Sequence, residues 1–197
     1  MKILENSLKR FCEIFGRNDF DIGHVAYNDQ MSFNYPASLP TSKDLDSLYG
    51  HVNFNGHIIV GGEMLLQLES TEKLEGAQHG WRWILNDKQD LQFSSRWNEA
   101  WVVIGNRNGD ALIVDTSTEN SAVYGAIQSD HFKISDSLEK FFDVYVSWME
   151  CEYSEFNMET EDEDCNLESE FLERLRKIAS DILNPDEVEG FFKFFFG

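Results

Sequence analysis

WVVIGNRNGDALIVD, residues 101–115, is the stretch that decides the fold. Two runs of β-branched and aliphatic residues flank Asn108-Gly109. That dipeptide supplies the positive φ angles of a two-residue hairpin, so the stretch reads as two antiparallel strands joined by a tight turn. Downstream, after the polar TSTENS, AVYGAIQS (122–129) continues a strand meander. Upstream, HIIVGG (57–62) and MLLQLES (64–70) read as two more strands, entered from a turn at NFNG, residues 53–56. Between them and the hairpin, GWRWILNDKQDLQFSSRW (80–97) keeps neither a strand nor a helix period and receives no assignment.

Helical spacing surrounds this strand-rich centre. Ile3, Leu4, Leu8, Phe11 and Phe15 recur on one helical face, and Gly16 follows where a left-handed C-terminal cap belongs. Residues 17–41 read as a loop holding one short strand. A second helix is expected from Thr41 or Ser42, with Leu45, Leu48, Tyr49 and Val52 inward. A third is expected from Ser135 or Asp136, its buried face formed by Leu138, Phe141, Phe142, Tyr145, Trp148 and Met149. A fourth begins near Leu167 and stops before Pro185. The Phe-rich end, FFKFFFG, is expected to dock, because five phenylalanines in water would make a patch that soluble monomers avoid. The fold class is therefore α+β: a single mixed, mostly antiparallel sheet packed by helices, with a helical, acidic C-terminal extension. One domain over residues 1–150, and an acidic loop with a helical, Phe-rich extension over 151–197 packed on the same domain, account for the length.

Thirty-six Asp and Glu against sixteen Lys and Arg leave a net charge of −20 in 197 residues. Nucleic-acid binding needs basic groups to displace counterions, so it is disfavoured, whereas a cationic protein is drawn to such a surface. No apolar run reaches the length of a membrane span, and MKILENSLKRF carries charges where a signal peptide is apolar, so a cytoplasmic protein is expected. Three cysteines, at 12, 151 and 165, fit a reducing compartment. Between Lys140 and Arg174 there are twelve acids and no base, densest in METEDEDC (158–165).

Catalytic patterns find no support. The histidines at 24, 51, 57, 79 and 131 lack metal-site spacing, so no metal or other cofactor is expected. No serine sits in a G-x-S-x-G elbow, and the glycines of IGNRNGD are explained by a hairpin rather than a phosphate loop. The tryptophans at 81, 83, 97 and 101 suit core or rim packing, with a sugar- or base-stacking platform as the alternative.

Several fragments stand in a telling order: LPTSKDLDSLYGHVNFNG, GGEMLLQLEST, WVVIGNRNGDALIVDTS, AVYGAI and SDSLEKFFDVYV. Over residues 39 to about 150 the chain resembles the SUKH superfamily, the Smi/Knr type of domain. The motif residues are Ile104, Gly105, Gly109, Asp110, Leu112 and Asp115, followed by Ser137 to Phe141. The resemblance implies a non-enzymatic protein-binding module. In bacterial members that is an immunity protein that neutralises a toxin, often a nuclease; the alternative is a regulatory scaffold, as in fungal members. With the charge, this gives an expected partner, a basic toxin domain, and an expected surface, Glu150, Glu152, Glu155, Glu159, Glu161, Asp162, Glu163 and Asp164. The chain itself is expected to be a monomer or a weak homodimer.

Overall fold

The computed structural model describes residues 2–197. Helix α1 (Lys2–Ile14) leads through Gly16, at φ +86°, into strand β1 (Ile22–Tyr27). Helix α2 (Lys43–His51) starts at Ser42, whose hydroxyl accepts the Leu45 amide at 3.2 Å. It runs straight into β2 (Val52–Val60), so the NFNG segment lies inside a strand rather than forming a turn. Gly56, at φ +90°, instead kinks the strand near the point where its register with β1 shifts. A 3-10 turn, Gly62–Met64, separates β2 from the short β3 (Leu66–Leu68).

Helix α3 (Leu74–Ala77) precedes the stretch that keeps neither period, and that stretch makes a hairpin of β4 (Trp83–Leu85) and β5 (Leu91–Phe93). Each strand is only three residues long, too short to set a period. The 101–115 hairpin follows as β6 (Trp101–Arg107) and β7 (Asp110–Asp115), with Asn108 and Gly109 at φ +52° and +94°. Then come β8 (Val123–Ile127) and β9 (Asp130–Ser135). The last strand is absent from the sequence pattern because a polar DHFK opening hides its apolar residues.

Helix α4 (Leu138–Glu150) is capped by Ser137, not by Ser135 or Asp136. The Ser135 hydroxyl is spent on the Ser137 carbonyl, and Asp136 pairs with Lys140. A π-turn, Cys151–Glu155, ends this helix, and α5 (Ser169–Ser180) and α6 (Pro185–Phe196) complete the chain. Pro185 does more than stop α5. It takes the first position of α6, where its missing N–H costs nothing, behind a capping box of Asn184 and Glu187.

The result is an α+β fold. Seven strands form one sheet in the order β1-β2-β3-β6-β7-β8-β9, every pairing antiparallel, and β4-β5 form a second, two-stranded sheet. Alternation along β6 and β7 divides the apolar residues between the faces of the large sheet. Val102, Ile104, Leu112 and Val114 join the large core with the helices. Val103, Ala111 and Ile113 join a smaller cluster around Trp97. Phe191, Phe194 and Phe195 are buried in the helical core, so the C-terminal helix is docked. Its approach is so close that a Cβ on Gly190 would overlap the Lys133 carbonyl.

Candidate protein-binding surface

The motif residues of the central hairpin serve its backbone. Ile104 and Leu112 are fully buried in the helical core. Gly105 lies at a register shift in β6, where a side chain would overlap the Gln67 carbonyl of β3. Gly109 supplies the positive φ of the turn, and Asp110 opens β7 opposite Arg107. Asp115 is buried and accepts the Trp101 indole N–H at 3.2 Å and both the amide and the hydroxyl of Ser117, at 2.9 and 2.6 Å. Of the two motif carboxylates, Asp115 is fully engaged in these bonds, whereas Asp110 is half-buried at the start of its strand.

Sequence reasoning missed how the edge of β6 is closed beyond the short β3. The buried amide of Gln78 donates to the Val103 carbonyl at 2.9 Å and accepts the Val103 amide at 3.0 Å, as a neighbouring strand would. Arg82 continues this, donating to the Glu99 carbonyl at 2.8 Å while its guanidinium lies over the Trp83 and Phe93 rings. Nothing in the sequence distinguishes these side chains from surface ones.

The eight acids proposed as a partner surface separate into two groups. Glu150 is tied to Arg10 at 2.8 Å, and Glu155 takes a two-pronged grip from Arg174 at 2.7 Å. Glu152 is the clear correction: it is 3% exposed and presents no charge outward. Its carboxylate caps the 3-10 turn, accepting the Glu63 amide at 2.7 Å. Burial pushes it up to about 7, assisted by the charges of Glu63 and Asp21 and opposed by the amides of Glu63 and Met64. Gly62, at φ +71°, has room for no side chain because this carboxylate lies against it. Around the same turn Asp21 accepts the Gly61 amide at 2.8 Å, Arg107 donates to the Glu63 and Leu65 carbonyls, and Tyr145 donates to that of Met64 at 2.8 Å.

Glu159, Glu161, Asp162, Glu163 and Asp164 are exposed and form no ion pair among the described residues. They do not belong to a loose linker. Asp162 accepts the amides of Asp164 and Asn166 at 2.9 Å, its own amide reaches the Asn166 carbonyl at 2.8 Å, and Glu168 donates to Thr160 at 2.8 Å. These backbone donors hold the Asp162 carboxyl below its ordinary value, so it stays charged. The buried Thr160 hydroxyl reaches Glu63 at 3.4 Å, which joins the loop to the Glu152 network. The arrangement is a pinned loop carrying five outward carboxylates.

Other candidate chemistry is spoken for. Burial pushes the Cys12 and Cys151 thiols up to about 12, so both stay protonated and unreactive at neutral pH. His51 stacks on Tyr27 and bonds the Asn28 carbonyl, and His57 lies exposed. Among the described residues no group of three or more His, Cys, Asp or Glu is placed to hold a metal ion. Nor is any helix long and apolar enough to cross a membrane. On the face opposite the helices, Trp81, Trp97 and Trp101 pack in series, with centroids 6.0 and 5.5 Å apart, and the β4-β5 hairpin leaves Leu85 and Leu91 more than half exposed beside them. Comparison of the chain with family models, with curated proteins and with solved structures returned no match.

Proposed function

We propose that this chain is a non-catalytic protein-binding module of the SUKH type, an immunity protein that acts in the cytoplasm by covering the basic site of a cognate, nuclease-type toxin. The observation that carries the reading is the pinned loop of Glu159, Glu161, Asp162, Glu163 and Asp164, five carboxylates that form no ion pair with another described residue, on a chain of net charge −20. Charges held in place complement a cationic cleft without the ordering cost that a floppy acidic tail would incur on binding. The positions of the motif glycines add support, since at Gly105 a side chain would overlap the Gln67 carbonyl and at Gly109 a φ of +94° strains any other residue.

The test pairs this chain with the product of the adjoining gene, the usual neighbour of an immunity gene. Co-purification, a fall in association rate with rising salt, and rescue of growth from that product are the expected results. Replacing all five acids by Gln or Asn slows association at least about tenfold while leaving the fold intact. Absence of rescue, or an unchanged rate in the five-fold variant, overturns the reading.

A further inference from the structure

The acidic loop does not exhaust the surface. On the opposite face of the large sheet, between the β4-β5 hairpin and the β8-β9 turn, lies an open cleft of about 730 Å³. That volume falls within the range of about 300–1,000 Å³ typical of small-molecule sites. Trp81 and Trp97 line it, with Ser95, Arg96, Gln128 and His131 around them. Trp97 is held firmly: its indole N–H donates to the Trp101 carbonyl at 3.2 Å, and His131 packs edge-on against both Trp97 and Trp101. Trp81 is half-buried, tilted 45° to Trp97, and so combines a fixed position with an accessible ring.

The polar side chains of this cleft are unspent. Ser95, Arg96, Gln128 and His131 make no hydrogen bond or ion pair with other described residues, and Ser95, Arg96 and Gln128 are exposed. Gln128 is also held at φ +55°, a conformation that favours Asn or Gly. The tight β8-β9 turn, Gln128-Ser129 between the paired Ile127 and Asp130, sets this angle and fixes where the Gln128 side chain leaves the backbone. The adjoining recess, bordered by Trp83, Ile84, Leu85 and Leu91, shares Gly80 and Ile84 with the cleft and extends the aromatic and apolar surface beyond a single ring.

Charge selects among the ligands that stack on tryptophan. A nucleic acid is repelled by the −20 chain, and a cationic side chain meets Arg96 at the rim. A neutral pyranose is repelled by neither. Its C–H face covers an indole ring, and its hydroxyls suit a ring of guanidinium, amide, imidazole and hydroxyl groups that both donate and accept. From this we infer that the tryptophan cleft is a carbohydrate site that takes a neutral oligosaccharide of at least two rings, the first stacked on Trp81 and bonded by Arg96 and Gln128. The site stands independently of the acidic loop.

The experiment titrates the full chain with cellotetraose, maltotetraose and chitotetraose, following tryptophan fluorescence and ligand-observed NMR. At least one of the three binds saturably at millimolar concentration or below. Trp81→Ala and Arg96→Ala each weaken that binding by about tenfold or more, and the five-fold acidic-loop variant leaves it unchanged. Arg96 is exposed and unpaired, so its variant decides the matter if Trp81→Ala fails to fold. No saturable response to any of the three sugars overturns the inference. So does a response that survives Arg96→Ala, and so does one abolished by the acidic-loop changes.

Discussion

The two faces of the seven-stranded sheet are covered by different material. On one face α1, α4 and α6 bury a continuous core in which Phe141, Phe142, Tyr145, Trp148, Phe191 and Phe195 are all less than 2% exposed. On the other, a cluster of five buried residues is roofed by loop, tryptophan and a two-stranded hairpin, and the roof leaves a cleft. Burial of large apolar area is what makes a fold stable, whereas open concave surface with unspent polar groups is what binds. The contrast places stability in the helical face, and the recognition proposed above draws on the tryptophan face and the acidic loop.

The largest effect tests the first half of that division. Phe191 stacks on Phe141 at 5.5 Å and on Phe195 at 5.2 Å, and meets Trp148 edge-on at 4.7 Å. Phe191→Ala leaves a cavity that rigid neighbours cannot fill, with an expected cost of about 3–5 kcal/mol. Thermal unfolding then moves down by roughly 10 °C. A shift of a degree or two would mean that α6 is an appendage and that the helical face draws its stability from α1 and α4 alone.

The next effect is nearly as large and concerns pH. Glu152, beneath the helical face at the π-turn, is pushed up to about 7 from an ordinary value of 4.5. The folded state therefore favours the protonated carboxyl, and between about 4.5 and 7 it holds a proton that the unfolded chain has released. Stability from this group is fully present below about 4.5 and declines as pH rises through 7, by about 3 kcal/mol across the window. The other carboxylates titrate as well, so the measurement is a difference. The gap in melting temperature between the wild type and Glu152→Gln, followed from pH 4.5 to 8, should shift steadily in favour of the variant. A constant gap would show that the buried carboxylate is solvated after all.

These expectations expose what the sequence could and could not convey. The 101–115 hairpin was legible because its turn needs Asn-Gly and its strands need β-branched residues, and both requirements are local. The docking of the Phe-rich end was legible from solvation alone, but α6 as a separate helix was not, since Pro185 reads equally as a stop and as a start. Six of the eight proposed acids are exposed, and five of those form no ion pair with another described residue, Glu155 being held by Arg174. Glu152 was misread because burial is set by a tertiary contact with the turn at Gly62–Met64, some 89 residues earlier in the chain. The β4-β5 hairpin was illegible because its strands rely on the sheet behind them rather than on a period of their own.

Trp97→Ala probes the face opposite the helices. The side chain is 6% exposed, so by burial alone it matches the phenylalanines opposite. It borders an open cleft, however, and water entering from that side offsets part of the vacancy. The expected cost is about 2 kcal/mol, at or below the low end for an aromatic truncation in a closed core. Equal losses for Trp97→Ala and Phe191→Ala, measured by denaturant midpoint at unchanged slope, would erase the distinction between the two faces.

The smallest effect is the most discriminating. Leu85 and Leu91 sit opposite each other on the hairpin and are 57% and 56% exposed, so little of their surface is withdrawn from water on folding. The double change Leu85→Ser and Leu91→Ser is expected to alter stability by no more than about 0.5 kcal/mol. An apolar pair that costs nothing to remove from the folded chain is not there for the fold. If the variant instead unfolds several degrees earlier, the hairpin is a structural roof held by those leucines. The tryptophan face would then be a second core, and recognition would rest on the acidic loop alone.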